Sequence, residues 1–151
     1  MYSKQEASIL NQQFWTTLGQ YMAPISNADG EKINWINYKT GAKHIRFVMQ
    51  ADSKTARIFI EISHKDEALQ IEYFGKFTQL KKLLENRIGE QWNWQPNTID
   101  EFGKTISLIY TSLQNVNVFD RADWPLIISF FKSRMIALDK FWCDNRFAFE
   151  R

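Results

Sequence analysis

The chain has 151 residues, of which 44% are hydrophobic and 24% charged, and its formal net charge is only +2. This length predicts one domain over residues 1–151, and the composition excludes a disordered tail, a collagen-like repeat and a disulfide scaffold. So small a net charge gives no global field that would drive the chain onto nucleic acid or an anionic membrane.

The sequence also indicates in which cellular compartment the protein is expected. Cys143 is the only cysteine, so the chain cannot form an internal disulfide, and a reducing compartment is expected. The N-terminal segment lacks the apolar core of a signal peptide, and the most apolar stretch, 124–131, is too short to span a bilayer. We therefore expect a cytoplasmic protein that has no membrane partner.

The N-terminal segment predicts an amphipathic helix. Ser3 and Glu6 have the spacing of a capping box, in which each side chain accepts a hydrogen bond from the backbone of the other residue. Apolar residues then recur at steps of three and four until Pro24 discourages continuation. A polar loop over 24–32 follows.

Two segments, 44–50 and 55–63, predict a β-hairpin. Both alternate in polarity and are rich in β-branched and aromatic residues. If Asp52 and Ser53 form a two-residue loop, the apolar residues of both strands fall on one face, as a half-buried sheet requires.

That register also predicts which residues are opposite one another on the outer, more polar face. It pairs Arg46 with Phe59 and His44 with Glu61. An arginine over an aromatic ring and a histidine beside a carboxylate are both favourable cross-strand pairs.

The second half of the chain predicts two further helices and more strands. An apolar stripe predicts one helix over 65–88, ended by Gly89 and with Gly75 as a kink or close contact. The segment 90–96 contains a proline, which is typical of an edge strand or a strand end. The remaining predictions are a strand over 104–111, a strand or an anchored loop over 113–119, and a helix over 121–144 capped by Asp120, Asp123 or Trp124.

These elements predict an α+β fold, in which helices 65–88 and 121–144 cover one face of a small antiparallel sheet. The order of a hairpin followed by a helix occurs twice. Each occurrence follows a segment that contains tryptophan and asparagine, at Trp35 and at Trp92. A duplicated β-β-α unit is therefore one way to account for the order.

The sequence resembles a bacterial family of domains of unknown function over about residues 10–145. The resemblance rests on four segments: ARIFIEIS, HKDEALQIEYF, GKTISLIYTSL and DWPLIISFFKSRMIALDKFW. Members of that family occur alone and at the C-terminus of longer proteins with restriction-endonuclease-like domains. The resemblance implies an accessory association with DNA handling or defence, and it brings no catalytic residues.

The residues themselves predict no catalytic site, no metal site and no cofactor. A metal-dependent nuclease needs an aspartate on one strand and Glu-x-Lys on the next. Asp52 precedes Glu61, but Ser63 stands where the lysine belongs. His44 and His64 are the only histidines and have no zinc-ligand spacing. A nuclease-like enzyme remains the alternative to a binding module.

One region has a local excess of positive charge. Residues 31–57 contain six basic and two acidic side chains, with Trp35 and Tyr38 interleaved among them. Basic side chains with exposed rings bind phosphates and stack bases. The predicted nucleic-acid-binding residues are Trp35, Tyr38, Lys39, Lys43, Arg46 and Arg57. The competing interpretation is that the rings close the edge of the core and the lysines are solvated.

The favoured function is therefore a non-enzymatic binding or accessory module. Its partner would be nucleic acid or another protein. Val48 and Phe59 on the outer sheet face, and Phe147 and Phe149 near the C-terminus, are apolar groups that one core does not need. They leave a structural homodimer as a third hypothesis.

Overall fold

The computed structural model describes residues 2–150, and their elements follow the predicted order. The helices and strands are α1 (Lys4–Met22), β1 (Ile45–Ala51), β2 (Thr55–Ile62), α2 (Glu67–Gln79), α3 (Lys81–Ile88), β3 (Asn93–Ile99), β4 (Thr105–Gln114) and α4 (Trp124–Asn145). At the start of α1, Ser3 accepts a hydrogen bond from the Glu6 N–H at 3.1 Å, which confirms the predicted cap.

The four strands form one antiparallel sheet in the order β1-β2-β4-β3. The predicted α+β class is confirmed. Each hairpin is followed by helical structure, and the second strand of each hairpin lies at the centre of the sheet. Pro96 lies on the edge strand β3, within the stretch where the β3–β4 register shifts, because proline cannot donate a ladder hydrogen bond.

The predicted pairing of the first hairpin is wrong, although its two faces are correct. Ala51 pairs with Ala56, so the loop centres on Ser53 and Lys54. The Asp52 carboxylate accepts the N–H groups of Lys54 and Thr55, both at 2.8 Å, and the Asp52 N–H bonds to the Thr55 carbonyl at 2.9 Å. These bonds stabilise a two-residue turn that is shifted by one position from the predicted turn.

The observed register shifts each pair by two residues. Arg46 is therefore opposite Glu61 instead of Phe59, and the backbone of His44 bonds to Ser63 instead of lying opposite Glu61. An even shift leaves every side chain on its original face, which is why polarity alone did not detect the error.

The predicted helix over 65–88 is two helices, and Gly75 lies within the first of them rather than at the break. The break falls at Leu80, whose N–H bonds to the carbonyl oxygens of Phe77 and Thr78. Gly89 ends α3 in the left-handed region at φ 86°, as predicted. Asp120 caps a short 3₁₀ turn, and α4 itself begins at Trp124.

The core lies between the sheet and the helices α2 and α4. Ile58, Ile60 and Ile109 point from the central strands into it, where they join Phe77 and Phe131 in one cluster of buried side chains. Helix α1 packs on α4. Between residues 2 and 150, no helix has the length and apolar character needed to cross a membrane.

Candidate nucleic-acid interface

The outer face of the sheet carries apolar side chains that do not belong to the core. Phe59 and Ile106 are each only 6% exposed, yet both lie outside the main core cluster. Half-buried Val48 and Leu108 lie on the same face. This side of the sheet therefore has an apolar centre of its own.

Two aromatic residues mark that centre. Phe59 on β2 and Tyr110 on β4 are directly opposite each other on the two central strands. The Arg57 guanidinium carbon lies 5.7 Å from the Phe59 ring centroid and 4.9 Å from that of Tyr110. A cation thus covers both rings, which explains part of the burial of Phe59.

Polar groups surround the aromatic pair. Arg46 bonds to Glu61 at 2.9 Å, and 63% of the Arg46 side chain is exposed. The exposed amide of Gln95 donates to the Tyr110 hydroxyl oxygen at 3.3 Å, and the exposed amide of Asn93 donates to the Tyr110 carbonyl at 3.4 Å. The face therefore combines planar rings, arginine and hydrogen-bonding amides.

The six predicted binding residues do not lie together. Arg46 and Arg57 are on the outer face, Lys43 lies in a separate groove, and the other three belong to the loop before β1. Trp35 is 2% exposed, and its indole N–H donates to the Ile25 carbonyl at 2.9 Å. Its ring is part of the core and offers no free surface to a base.

Tyr38 and Lys39 line a cleft of about 360 Å³ against the C-terminal part of α4. The Tyr38 hydroxyl donates to Asp139 at 2.7 Å, and the Ala28 N–H bonds to the same carboxylate at 2.7 Å. Burial raises the pKa of Tyr38, and the hydrogen bond to Asp139 raises it further. Asp139 is 4% exposed, so this cluster fixes the loop to α4.

The same cleft contains Cys143, which donates to Asp29 at 3.1 Å. This hydrogen bond raises the pKa of the Cys143 thiol and favours its protonated, less nucleophilic form. In the described part of the chain, no three His, Cys, Asp or Glu side chains are arranged to hold a metal ion.

The two acids of the nuclease hypothesis lie at opposite ends of the first hairpin. Asp52 is a turn residue, and hydrogen bonds from the backbone of Lys54 and Thr55 lower its pKa. Glu61 is bonded to Arg46, about 20 Å of strand away. The structure does not bring these carboxylates together.

Tyr110 is a candidate binding residue that the basic region of the sequence did not indicate. Its strand has apolar residues on both faces, since Ile106 and Leu108 alternate with the buried Ile109. A strand that is apolar on both faces indicates a second packing or binding surface. This signal lies in the sequence of the strand itself and does not depend on the β2–β4 pairing.

Comparison with known proteins supports a family of domains of unknown function. A family model described as a domain of unknown function (DUF4268) matches residues 10–146. Searches of curated proteins and of solved structures find no match. Because the family model covers nearly the whole chain, this protein belongs to the DUF4268 family of domains of unknown function.

Proposed function

We propose that this protein is a non-enzymatic accessory module that binds single-stranded nucleic acid on the outer face of its sheet. The observation that carries the proposal is the Phe59–Tyr110 pair on adjacent central strands beneath Arg57. Four-stranded sheets that bind single-stranded RNA use aromatic side chains on one face to stack unpaired bases.

Energetics favours replacement of the arginine by a base. A cation–π contact at an exposed site contributes about 0.5–1 kcal/mol, whereas stacking a base on an aromatic side chain contributes about 1–3 kcal/mol. A base can therefore displace the Arg57 guanidinium from Tyr110. The released guanidinium then reaches a backbone phosphate, which strengthens the complex further.

The face suits unpaired bases better than a duplex. Its centre is a pair of rings on a sheet, and the bases of a duplex are already stacked on one another. The exposed amides of Asn93 and Gln95 can hydrogen-bond to base edges that pairing would otherwise occupy. An accessory role beside DNA-handling or defence enzymes in bacteria, which the family resemblance implies, is consistent with such binding.

Fluorescence anisotropy with a labelled single-stranded oligonucleotide at low salt tests the proposal. Tyr110→Leu keeps the side chain apolar but removes the ring, and we expect an affinity loss of about 5–150-fold. Arg57→Gln removes one phosphate contact, so the slope of log affinity against log salt falls in magnitude by about 0.7.

Lys140→Gln is the matched control for Arg57→Gln, because it removes one positive charge from an exposed position on α4. We expect it to leave both the affinity and the salt slope unchanged. Equal losses of affinity in Arg57→Gln and Lys140→Gln would indicate nonspecific electrostatic attraction and overturn the proposal. Self-association that Tyr110→Leu abolishes, without binding of any oligonucleotide, would instead assign the face to a homodimer.

A further inference from the structure

A second polar site lies at the end of the first hairpin, apart from the aromatic centre of the outer face. It is a groove of about 700 Å³ between the loop 40–44, the first turns of α2 and the C-terminal segment that follows α4. Four basic side chains line it: Lys43, His44, His64 and Arg146. Among its described lining residues, Glu150 is the only carboxylate.

The loop that presents Lys43 and His44 is held in one shape. The Thr40 hydroxyl donates to the Ile45 carbonyl at 2.7 Å and accepts the Ala42 N–H at 3.1 Å. The Trp142 indole N–H donates to the Thr40 carbonyl at 2.7 Å. Because these bonds fix the loop, its donors need little ordering when a ligand binds.

His44 adopts a left-handed backbone conformation at φ 66°, which a non-glycine residue rarely adopts. Its ring lies 5.0 Å from the ring of His64, so two imidazoles lie close together. The His64 ring also stacks on Tyr73 at 4.5 Å with an interplanar angle of 11°, so both rings are packed on this side of the groove.

We propose that this groove binds a phosphate monoester. Lysine, arginine and imidazole N–H groups are the donors that form strong, charge-assisted hydrogen bonds to phosphate oxygens. Lys43, His44 and Arg146 line the same groove, so it offers a dianionic group an ammonium, an imidazole and a guanidinium, the last of which also lies 3.9 Å from the Asp29 carboxylate.

NMR spectroscopy of the ¹⁵N-labelled full chain, titrated with inorganic phosphate, tests this proposal. We expect saturable shifts of the Gly41, Ala42, Lys43 and His44 amides, with a dissociation constant of about 1–10 mM. Lys43→Gln and His44→Asn should each weaken binding about tenfold or more. Asparagine is chosen for position 44 because it tolerates a left-handed backbone.

Lys54→Gln is the control, because Lys54 lies on the turn at the opposite end of the same hairpin and the change removes the same charge. It should leave phosphate binding unchanged. Absence of saturable shifts at about 50 mM phosphate, far above the expected dissociation constant, would overturn the proposal. So would equal weakening in Lys43→Gln and Lys54→Gln.

Two further titrations distinguish the sources of the phosphate. A 5′-phosphorylated oligonucleotide that binds more tightly than its 5′-hydroxyl form, with the difference lost in His44→Asn, identifies the end of a nucleic-acid strand. A nucleoside 5′-monophosphate that binds the groove while the 5′-phosphate adds nothing to oligonucleotide binding identifies a free nucleotide. Both results support the groove, and neither requires that the sheet face bind nucleic acid.

Discussion

Replacing Tyr38 with phenylalanine tests how the loop before β1 is held on α4. The change deletes one hydroxyl group and with it the 2.7 Å hydrogen bond to Asp139, while the Ala28 N–H remains bonded to the same carboxylate. A hydrogen bond to a charged group contributes about 1.5–3 kcal/mol. Since Asp139 is only 4% exposed, water cannot readily replace the lost donor, and we expect the free energy of unfolding to fall by that amount.

Urea denaturation followed by tryptophan fluorescence measures this loss, and thermal unfolding should show a fall in Tm of about 3–12 °C. Tyr21→Phe is the matched control, because Tyr21 is 57% exposed and loses the same hydroxyl group. We expect it to change the stability by less than about 0.5 kcal/mol. Similar stability of Tyr38→Phe and wild type would refute the assignment of Tyr38 and Asp139 as a buried clamp.

The same pair predicts a dependence on alkaline pH. Burial and the Asp139 carboxylate raise the pKa of Tyr38 in the folded state above its ordinary value of 10.0. The stabilisation is therefore fully present below that value and declines as the pH rises above it. The stability advantage of wild type over Tyr38→Phe should shrink in alkaline urea titrations, and an advantage that stayed constant would contradict the raised pKa.

Further predictions follow from the packing of α4 and from the ion pair between Glu90 and Arg134. Leu138→Ala and Phe131→Ala each remove a fully buried side chain of α4. Thermal unfolding should show that each change lowers the free energy of unfolding by about 2–5 kcal/mol. A decrease below about 1 kcal/mol would contradict the core position of these residues. Burial raises the pKa of Glu90, but its bonds to Arg134 at 2.7 and 3.0 Å and to Trp92 outweigh burial and lower it below 4.5. The resulting stabilisation is present above pH 4.5 and is lost as the pH falls through the lowered pKa. Glu90→Gln should therefore be less stable than wild type at neutral pH and approach the stability of wild type in acid. A stability difference between the two proteins that did not depend on pH would contradict this.

Local patterns predicted much of the fold correctly because each depends on neighbours in sequence. The Ser3 cap, the end of α3 at Gly89 and the inner faces of β1 and β2 all follow from such patterns. The hairpin pairing did not, because a shift of two residues preserves polarity, and the observed turn is stabilised by bonds from the Asp52 carboxylate and by the distant Val116 and Val118 N–H groups.

The candidate site was harder to predict than the fold. A run of basic residues identified Arg46 and Arg57, but it also included Trp35, whose burial depends on a loop that returns to Ile25. The position of Tyr110 opposite Phe59 depends on pairing between strands that are some fifty residues apart. Charge counts along the chain contain no information about such pairing.

The most direct test of the proposed function is to map where a single-stranded oligonucleotide contacts the protein. In NMR titrations with a short oligothymidylate at low salt, we expect the largest amide shifts in β2 and β4, centred on Arg57, Phe59 and Tyr110. Tyr110→Leu should reduce these shifts together with the affinity. Shifts confined to α4, or no shifts at any accessible concentration, would contradict nucleic-acid binding on the outer face of the sheet.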